Sequence, residues 1–278
     1  MSSDITGIGV GLRMDMAQAF LEALPKSVRF IEVHPENYIG RGGRYPAILE
    51  AARAHYPVLT HSLTMSFGSP DPFDRGYLAD LRAFLHDLEV PWHSDHLCFG
   101  GVDGTFVHDL LPLPFSEEAA ALVTTRVEEA RDALGVPIAV ENVSYYAPVA
   151  EDALDEARFV REVLERADAK LLLDVNNVFV NSRNFGFDPL VYLDSIPAER
   201  VVQIHVAGHL LRPDGLRIDT HGEPICDEVF GLLEHVLRRI GPRPVLLERD
   251  NDIPPLEVLL AEVDALTAIY DRATGGRS

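Results

Sequence analysis

Eight short apolar runs recur along the chain, at residues 7–12, 28–34, 57–63, 91–97, 137–142, 170–176, 201–207 and 244–248. Several are rich in Val, Ile and Leu and do not alternate cleanly with polar residues. That is the pattern of strands buried on both faces of a parallel sheet. Between them lie segments with apolar residues at helical spacing, at 16–24, 45–54, 75–88, 116–134, 154–167, 228–240 and 256–270, with a shorter candidate at 189–194. Ser116, followed by Glu117 and Glu118, has the form of an N-cap with acid in the first turn. Strand then helix, eight times over, predicts a parallel sheet with helices outside. Eight units predict closure into an α/β (β/α)8 TIM barrel. A doubly wound open sheet is the alternative.

No linker-like stretch divides the chain. The expectation is a single domain over residues 1–278, with the barrel ordered over about 7–270 and a frayed tail at 274–278. The longest irregular stretches, 98–115 and 208–226, each follow a predicted strand. In a barrel such loops build the active face, so both are candidates for substrate binding.

Composition narrows the function. The 278 residues carry 24 Lys and Arg against 44 Asp and Glu, a net charge of −20, and the two lysines are Lys26 and Lys170. With its cations scattered, such a chain repels phosphate backbones and anionic lipid, so no nucleic acid and no membrane partner is expected. No run approaches the 18 or so apolar residues of a membrane span, and the first residues lack the form of a secretory signal. The expected location is the cytoplasm. Two cysteines, Cys98 and Cys226, cannot build a thiolate zinc site and read as small buried side chains.

The candidate chemistry sits where the apolar runs end. Six consecutive strands carry an acid or histidine at or near their C-terminal ends: His61, His96, Glu141, Asp174, His205 and Glu248. In a barrel these converge on one mouth. So many carboxylates and imidazoles cannot be buried together unless cations separate them. Asp219-Thr220-His221 and Asn177, three residues after Asp174, extend the set to nine. Nine exceed one ion's needs and suit two or three. Nitrogen and oxygen donors without thiolate favour iron, manganese or zinc. Glu32, His34, Asn37, Asn142, His209, Arg249, Asp250 and Arg13 lie beside the set as candidates to orient ligands or touch substrate. Arg249 could clamp a carboxylate or form a structural ion pair. His93 and Asp95 are expected to pack or hydrogen-bond below the site.

These residues carry a resemblance. The stretches Glu32-Val-His-Pro-Glu-Asn-Tyr38, Ser94-Asp-His-Leu97, Glu141-Asn142, Leu173-Asp-Val-Asn-Asn177, His205-Val-Ala-Gly-His209, Asp219-Thr-His-Gly222 and Leu247-Glu-Arg-Asp250 resemble the multinuclear non-heme iron-dependent oxidative enzymes. That family corresponds to domain of unknown function 692 and includes methanobactin biosynthesis protein B. The resemblance spans nearly the whole chain. It implies a xylose isomerase-like barrel holding two or three irons, Fe(II) and Fe(III) mixed, with O2 as co-substrate. It implies oxidative modification of a ribosomally made precursor peptide at cysteine, and a partner protein that presents the peptide. The ligand order also resembles, more distantly, that of endonuclease IV, and departs from it only where Asn177 stands in place of a histidine. A neutral amide is a weaker ligand than imidazole, so the ion there would bind more loosely. Two readings from other classes stand beside this one. One is a zinc or manganese hydrolase or isomerase, in which the ions activate water. The other is a non-catalytic metal-bound binding module.

Overall fold

The structure, a computed structural model, describes residues 5–147 and 155–275, the side chains of Phe106 and His108 excepted. The chain runs β1 (Gly7–Gly11), α1 (Met14–Ala23), β2 (Phe30–Val33), α2 (Arg44–Arg53), β3 (Val58–Ser62), α3 (Arg75–Asp87) and β4 (His93–His96). It continues through β5 (Cys98–Val102), β6 (Thr105–Pro112), α4 (Glu117–Leu134), β7 (Ile138–Glu141), α5 (Glu156–Arg166), β8 (Lys170–Asp174), α6 (Val175–Phe185) and α7 (Pro189–Ser195). It ends with β9 (Val201–Val206), β10 (Leu210–Leu211), β11 (Arg217–Ile218), α8 (Asp227–Ile240), β12 (Pro244–Leu247) and α9 (Leu256–Thr274). Strands β1, β2, β3, β4, β7, β8, β9 and β12 pair in that order, all parallel, and β12 closes on β1. The predicted closed barrel is the observed one, and the open sheet is excluded.

Two apolar clusters explain why the strand runs look unbroken. Ile31, Val33, Val58, Val140, Leu171, Leu173, Ile204, Val206, Val245 and Leu247 belong to one large core shared with the helices. Phe30, Leu59 and Leu246 form a second cluster, with Trp92 packed against it. These alternate with the first set along the strands, so they fill the barrel's interior. Gly9 on β1 leaves room for them, because a Cβ there would stand 2.5 Å from the Phe30 ring. One step further up the same interior rows come Glu32, His61 and Glu248. Side-chain alternation therefore puts an apolar plug below and a polar layer above it.

Register sets neighbours within that layer. His96 pairs with Glu141 across β4 and β7, and Asp174 pairs with His205 across β8 and β9.

Three expectations need correction. The sixth apolar run does not stay extended to residue 176. It ends at Asp174, whose carboxylate accepts from the Asn177 amide at 2.5 Å and caps α6. Residues Val175 to Ser182 are all buried, so α6 shows no polar face, and its valines and asparagines are weak helix formers. The stretch 98–115, read as irregular, contains the hairpin β5–β6. Its turn is Asp103-Gly104, both with positive φ (51° and 70°), the signature of a tight primed turn. The stretch 208–226 holds the small hairpin β10–β11. The helix at 189–194 is present as α7. Helix α9 extends to Thr274, and the rest of the expected tail, 276–278, lies outside the described residues, as does the extreme N-terminus.

Candidate metal centre

His61 from β3, His96 from β4 and Glu141 from β7 meet at the mouth. His61 Nε2 lies 3.2 Å from His96 Nε2 and 3.1 Å from Glu141 Oε2, and His96 Nε2 lies 3.3 Å from the same oxygen. Donor atoms bound to one ion at about 2.0–2.1 Å stand roughly 3 Å apart, so this triangle has the dimensions of one face of a coordination shell.

Glu141 also faces a second group. Its Oε1 is 3.2 Å from His205 Nδ1, which is equally 3.2 Å from Glu248 Oε1. Asp174 completes this group, and the ligand atoms of Glu141, Asp174, His205 and Glu248 all lie within 4.8 Å of one another. Glu141 thus belongs to both groups, one oxygen toward each.

A third group sits on the loop after β9. His221 Nε2 is 2.9 Å from Asp219 Oδ1 and 3.8 Å from Glu248 Oε2. Asp250 also lies within ligand distance of His221 and Glu248. Its oxygens, however, are engaged by Arg13 at 2.6 Å and by His221 Nδ1 at 2.9 Å. We read Asp250 as the group that holds His221. Asn177, in the first turn of α6, is fixed by its amide nitrogen, which donates to Asn142 O at 3.1 Å.

Each of the four histidines is held from behind, which decides the nitrogen it presents. Ser94 Oγ donates to Thr60 O and so accepts from His61 Nδ1 at 2.9 Å, which turns His61 Nε2 toward Glu141. Asp95 lies 3.3 Å behind His96 Nδ1, Glu32 lies 3.3 Å behind His205 Nε2, and Asp250 holds His221 Nδ1. His34 donates to the backbone carbonyl of His61 at 2.8 Å. Burial and the nearby Arg13 keep His34 neutral, its pKa lowered to about 4.

Buried polar atoms are normally paired. Here Glu141 Oε2, Asp174 Oδ2, Asn177 Oδ1, His205 Nδ1, His221 Nε2 and Glu248 Oε2 are buried without a hydrogen-bond partner. All six belong to the nine predicted ligands, and unpaired lone pairs gathered at one mouth are what a cation satisfies. The electrostatics agree. Burial, then Glu141, Asp219 and Glu248, push the Asp174 carboxyl well up. Burial opposes charge on His61, yet Glu141 and Glu32 raise it to about 9. Burial likewise opposes charge on His205, yet Glu248, Glu32 and Glu141 raise it well above the ordinary histidine value. Without a cation, the cluster must retain protons.

The structure gathers most of the other candidates around this centre. Asn142 brackets Asp174, donating to its carbonyl at 2.9 Å and accepting from its amide at 3.0 Å. His209 meets Asn176 Oδ1 at 2.9 Å, and Asn176 donates to Asp219 Oδ1 at 2.7 Å. Arg13 reaches the centre through Asp250. Two candidates behave differently. Arg249 is buried and pairs with Glu262 and the Gly222 carbonyl, so the structural ion pair is the observed role and the carboxylate clamp is corrected. Asn37 lies in the 3-10 turn Pro35–Asn37 and makes no side-chain hydrogen bond among the described residues. His93 is buried and hydrogen-bonds Thr60 and Ser62, on the strand face opposite to that of His61 and His96. Asp95 does more than pack, since it also accepts from the His96 and Met65 amides.

Sequence reasoning missed Ser94, Asn176, Gln203 and Tyr146. The last bridges the rim, its hydroxyl accepting from the Asp219 amide at 3.0 Å. Uncharged residues give no charge signal. Strand alternation still marks Ser94 as sharing a face with His96, and Gln203 with His205.

A family model described as RiPP precursor modification enzyme MbnB/TglH/ChrH matches residues 7–271. A UPF0276 protein of Caulobacter vibrioides is 44% identical over 262 residues, covering 94% of this chain and 93% of its own. One from Pseudomonas aeruginosa is 42% identical over 269 residues, covering 97% and 94%. Among solved structures, a putative xylose isomerase from Rhodospirillum rubrum aligns with TM-score 0.62 at 15% identity, over 96% of this chain and 99% of that one. D-psicose 3-epimerase from Clostridium cellulolyticum aligns with TM-score 0.60 at 13% identity, over 98% of each. At that identity the likeness is one of fold.

Proposed function

The chain belongs to the MbnB/TglH/ChrH family of RiPP precursor modification enzymes, and from that premise we propose that it is a multinuclear iron enzyme that uses O2 to modify a ribosomally made precursor peptide at cysteine. The observation that carries the reading is the convergence of six unpaired buried ligand atoms at the barrel mouth. The donors are nitrogen and oxygen only. The chain's own thiols stand apart: burial, then Asp95 and Glu141, hold Cys98 well above the ordinary thiol pKa.

In this reading His61, His96 and Glu141 hold one ion. Glu141, Asp174, His205 and Glu248 hold a second, and Asn177, Asp219 and His221 a third. Iron supplies the oxygen and one-electron chemistry that zinc, without redox states, does not. The residues behind the ligands fix which nitrogen each histidine offers. Arg13 and Asp250 hold His221 at the rim. Exposed apolar side chains flank the mouth, with Leu63, Val102, Val107, Tyr146, Leu210 and Leu211 each 38–55% accessible. They offer an extended peptide a surface beside the centre, and a partner protein presents the peptide there.

The test uses protein purified without oxygen, loaded with Fe(II) and given precursor peptide, partner and O2. A mass-shifted peptide whose change maps to cysteine is expected. An unchanged peptide, with iron bound and the partner present, sinks the oxidative reading. Equal turnover with zinc or manganese in place of iron would favour hydrolysis or isomerisation.

A further inference from the structure

Outside the metal centre, a cavity of about 250 Å³ opens between the loop after β3, the start of α3 and the middle of α4. Arg126, Phe73, Ser66, Ser69, Asp71 and Asp74 are among the residues that line it. Its loop follows the C-terminal end of β3, so the cavity stands at the mouth end of the barrel. It lies outside His96: the amide of Met65, on the same loop, donates to Asp95 at 2.8 Å, and Asp95 lies 3.3 Å behind His96 Nδ1.

Arg126 is the unusual member. Only 7% of its side chain is exposed, yet among the described residues its guanidinium donates no hydrogen bond. Nε is buried without a partner, and the one ion pair is a 3.5 Å contact with exposed Glu129. The guanidinium carbon sits over the Phe73 ring, 3.3 Å from its centroid. Stacking fixes the group in place but satisfies none of its N–H donors. Burial pulls its pKa below the ordinary arginine value, with Glu129 and Asp71 only partly opposing. A covered cation with unused donors is costly unless an anion joins it.

The hydroxyls beside it are also donors without acceptors. Ser66 Oγ accepts from the Gly100 amide at 2.8 Å, and Ser69 Oγ accepts from the Asp71 amide at 3.1 Å. Both serines are buried, and neither hydroxyl donates to a group among the described residues. The acids on the cavity wall are engaged elsewhere. Asp74 Oδ1 accepts from the Gly76 and Tyr77 amides at 2.7 and 3.0 Å and caps α3. Asp71 Oδ2 accepts from the Gly104 amide at 3.2 Å. The cavity therefore holds a surplus of donors, a guanidinium fork and two hydroxyls. A carboxylate matches that set, since its two oxygens accept the fork and keep lone pairs for the hydroxyls.

We propose that this cavity binds a carboxylate, with Arg126 as the fork and Ser66 and Ser69 as supporting donors. The site shares no residue with the nine candidate ligands and does not depend on their metal. The same chemistry is carried by an acidic side chain of a peptide and by a small free acid.

The experiment titrates the full chain as purified, by calorimetry. The test ligands are a Gly-Glu-Gly tripeptide blocked at both ends, its Gly-Gln-Gly counterpart, glutarate and inorganic phosphate. Wild-type protein is expected to bind the glutamate peptide or glutarate, the tighter of the two naming the source, and to ignore the glutamine peptide. Arg126→Met keeps the packing on Phe73 and has no donor. It is expected to weaken carboxylate binding by about 10–100-fold. A carboxylate held at the metal centre would be untouched by this variant, which separates the two sites. Ser69→Ala removes one donor and is expected to weaken binding by roughly 10-fold or less. Without ligand, the denaturation midpoint of Arg126→Met stays at or above that of wild type, because an uncompensated cation has been removed. Absence of carboxylate binding in wild type, equal binding of the glutamine peptide, or tighter binding of phosphate overturns the proposal. So does Arg126→Met with a lowered midpoint and unchanged binding, since Arg126 then serves only to pack on Phe73.

Discussion

The candidate ligands on strand ends and those on the loop after β9 are built in different ways. His61, His96, Glu141, Asp174, His205 and Glu248 are buried, and the period-two alternation of paired strands aims them. Moving any of them means shifting the barrel's register. Asp219 and His221 are partly exposed, at 12% and 16% of their side-chain surface. No strand of the barrel aims them. Asn176 and Tyr146 hold Asp219, and Asp250 holds His221, whose backbone sits at a positive φ of 52°. A β-branched or bulky residue is strained there, and such strain collects at functional sites. The inner groups are preorganised by the fold. The outer group is assembled by hydrogen bonds from Asn176, Tyr146 and Asp250.

Removing the carboxylate shared by both inner groups breaks the contrast most severely. Glu141→Gln is expected to lose both inner ions, each weakened by more than ~100-fold, beyond the loss of an outer partner. Elemental analysis after dialysis reads it, and retention of two ions would contradict the bridging role.

A buried acid away from the centre sharpens the contrast. Glu156 accepts from Tyr192 at 3.2 Å and Asn181 at 3.4 Å. Burial raises its pKa to about 7, with those hydrogen bonds only partly opposing. The folded value lies above the unfolded one, so its contribution to stability is full at low pH. It is lost as pH rises from about 4.5 toward 7. At about 1.4 kcal/mol per unit this amounts to roughly 3 kcal/mol. Glu156→Gln should flatten that slope in urea midpoints measured from pH 5 to 8, leaving metal content unchanged. Parallel pH curves for variant and wild type would contradict it.

Asp250→Asn attacks the outer group alone. The expected effect is ~10–100-fold weaker binding of the outer ion, with the inner ions intact in competition titrations. Loss of all ions together would erase the distinction between the two regions. The smallest effect belongs to Tyr146→Phe, which removes one hydrogen bond to the Asp219 amide. About 1 kcal/mol, or several-fold in outer-ion affinity, is expected. An effect as large as that of Asp250→Asn would show that the rim is more than a support.

What was legible in the sequence follows the same division. The barrel could be read because doubly buried strands give apolar runs and amphipathic helices give a period. The ligands stood out because each is charged or imidazole-bearing at the end of such a run. Helix α6 was not legible, since its first eight residues, Val175 to Ser182, are all buried and leave no amphipathic stripe, and only the Asp174 cap marks its start. The hairpin β5–β6 carries its one local signal in Asp103-Gly104, a pair suited to the positive φ angles of its turn. Arg249 could not be assigned between clamp and ion pair, because Glu262 reaches it from α9 only in three dimensions. The neutral residues Ser94, Asn176 and Gln203 acquire their roles from partners distant in sequence.

Anomalous diffraction at the iron edge, from crystals of the iron-loaded protein, tests the central claim most directly. The account predicts one peak among His61, His96 and Glu141 and a second among Glu141, Asp174, His205 and Glu248. It predicts a third, of lower occupancy, beside Asp219 and His221. No peak at the barrel mouth, or a peak held by the loop residues alone with the strand-borne positions empty, would contradict it.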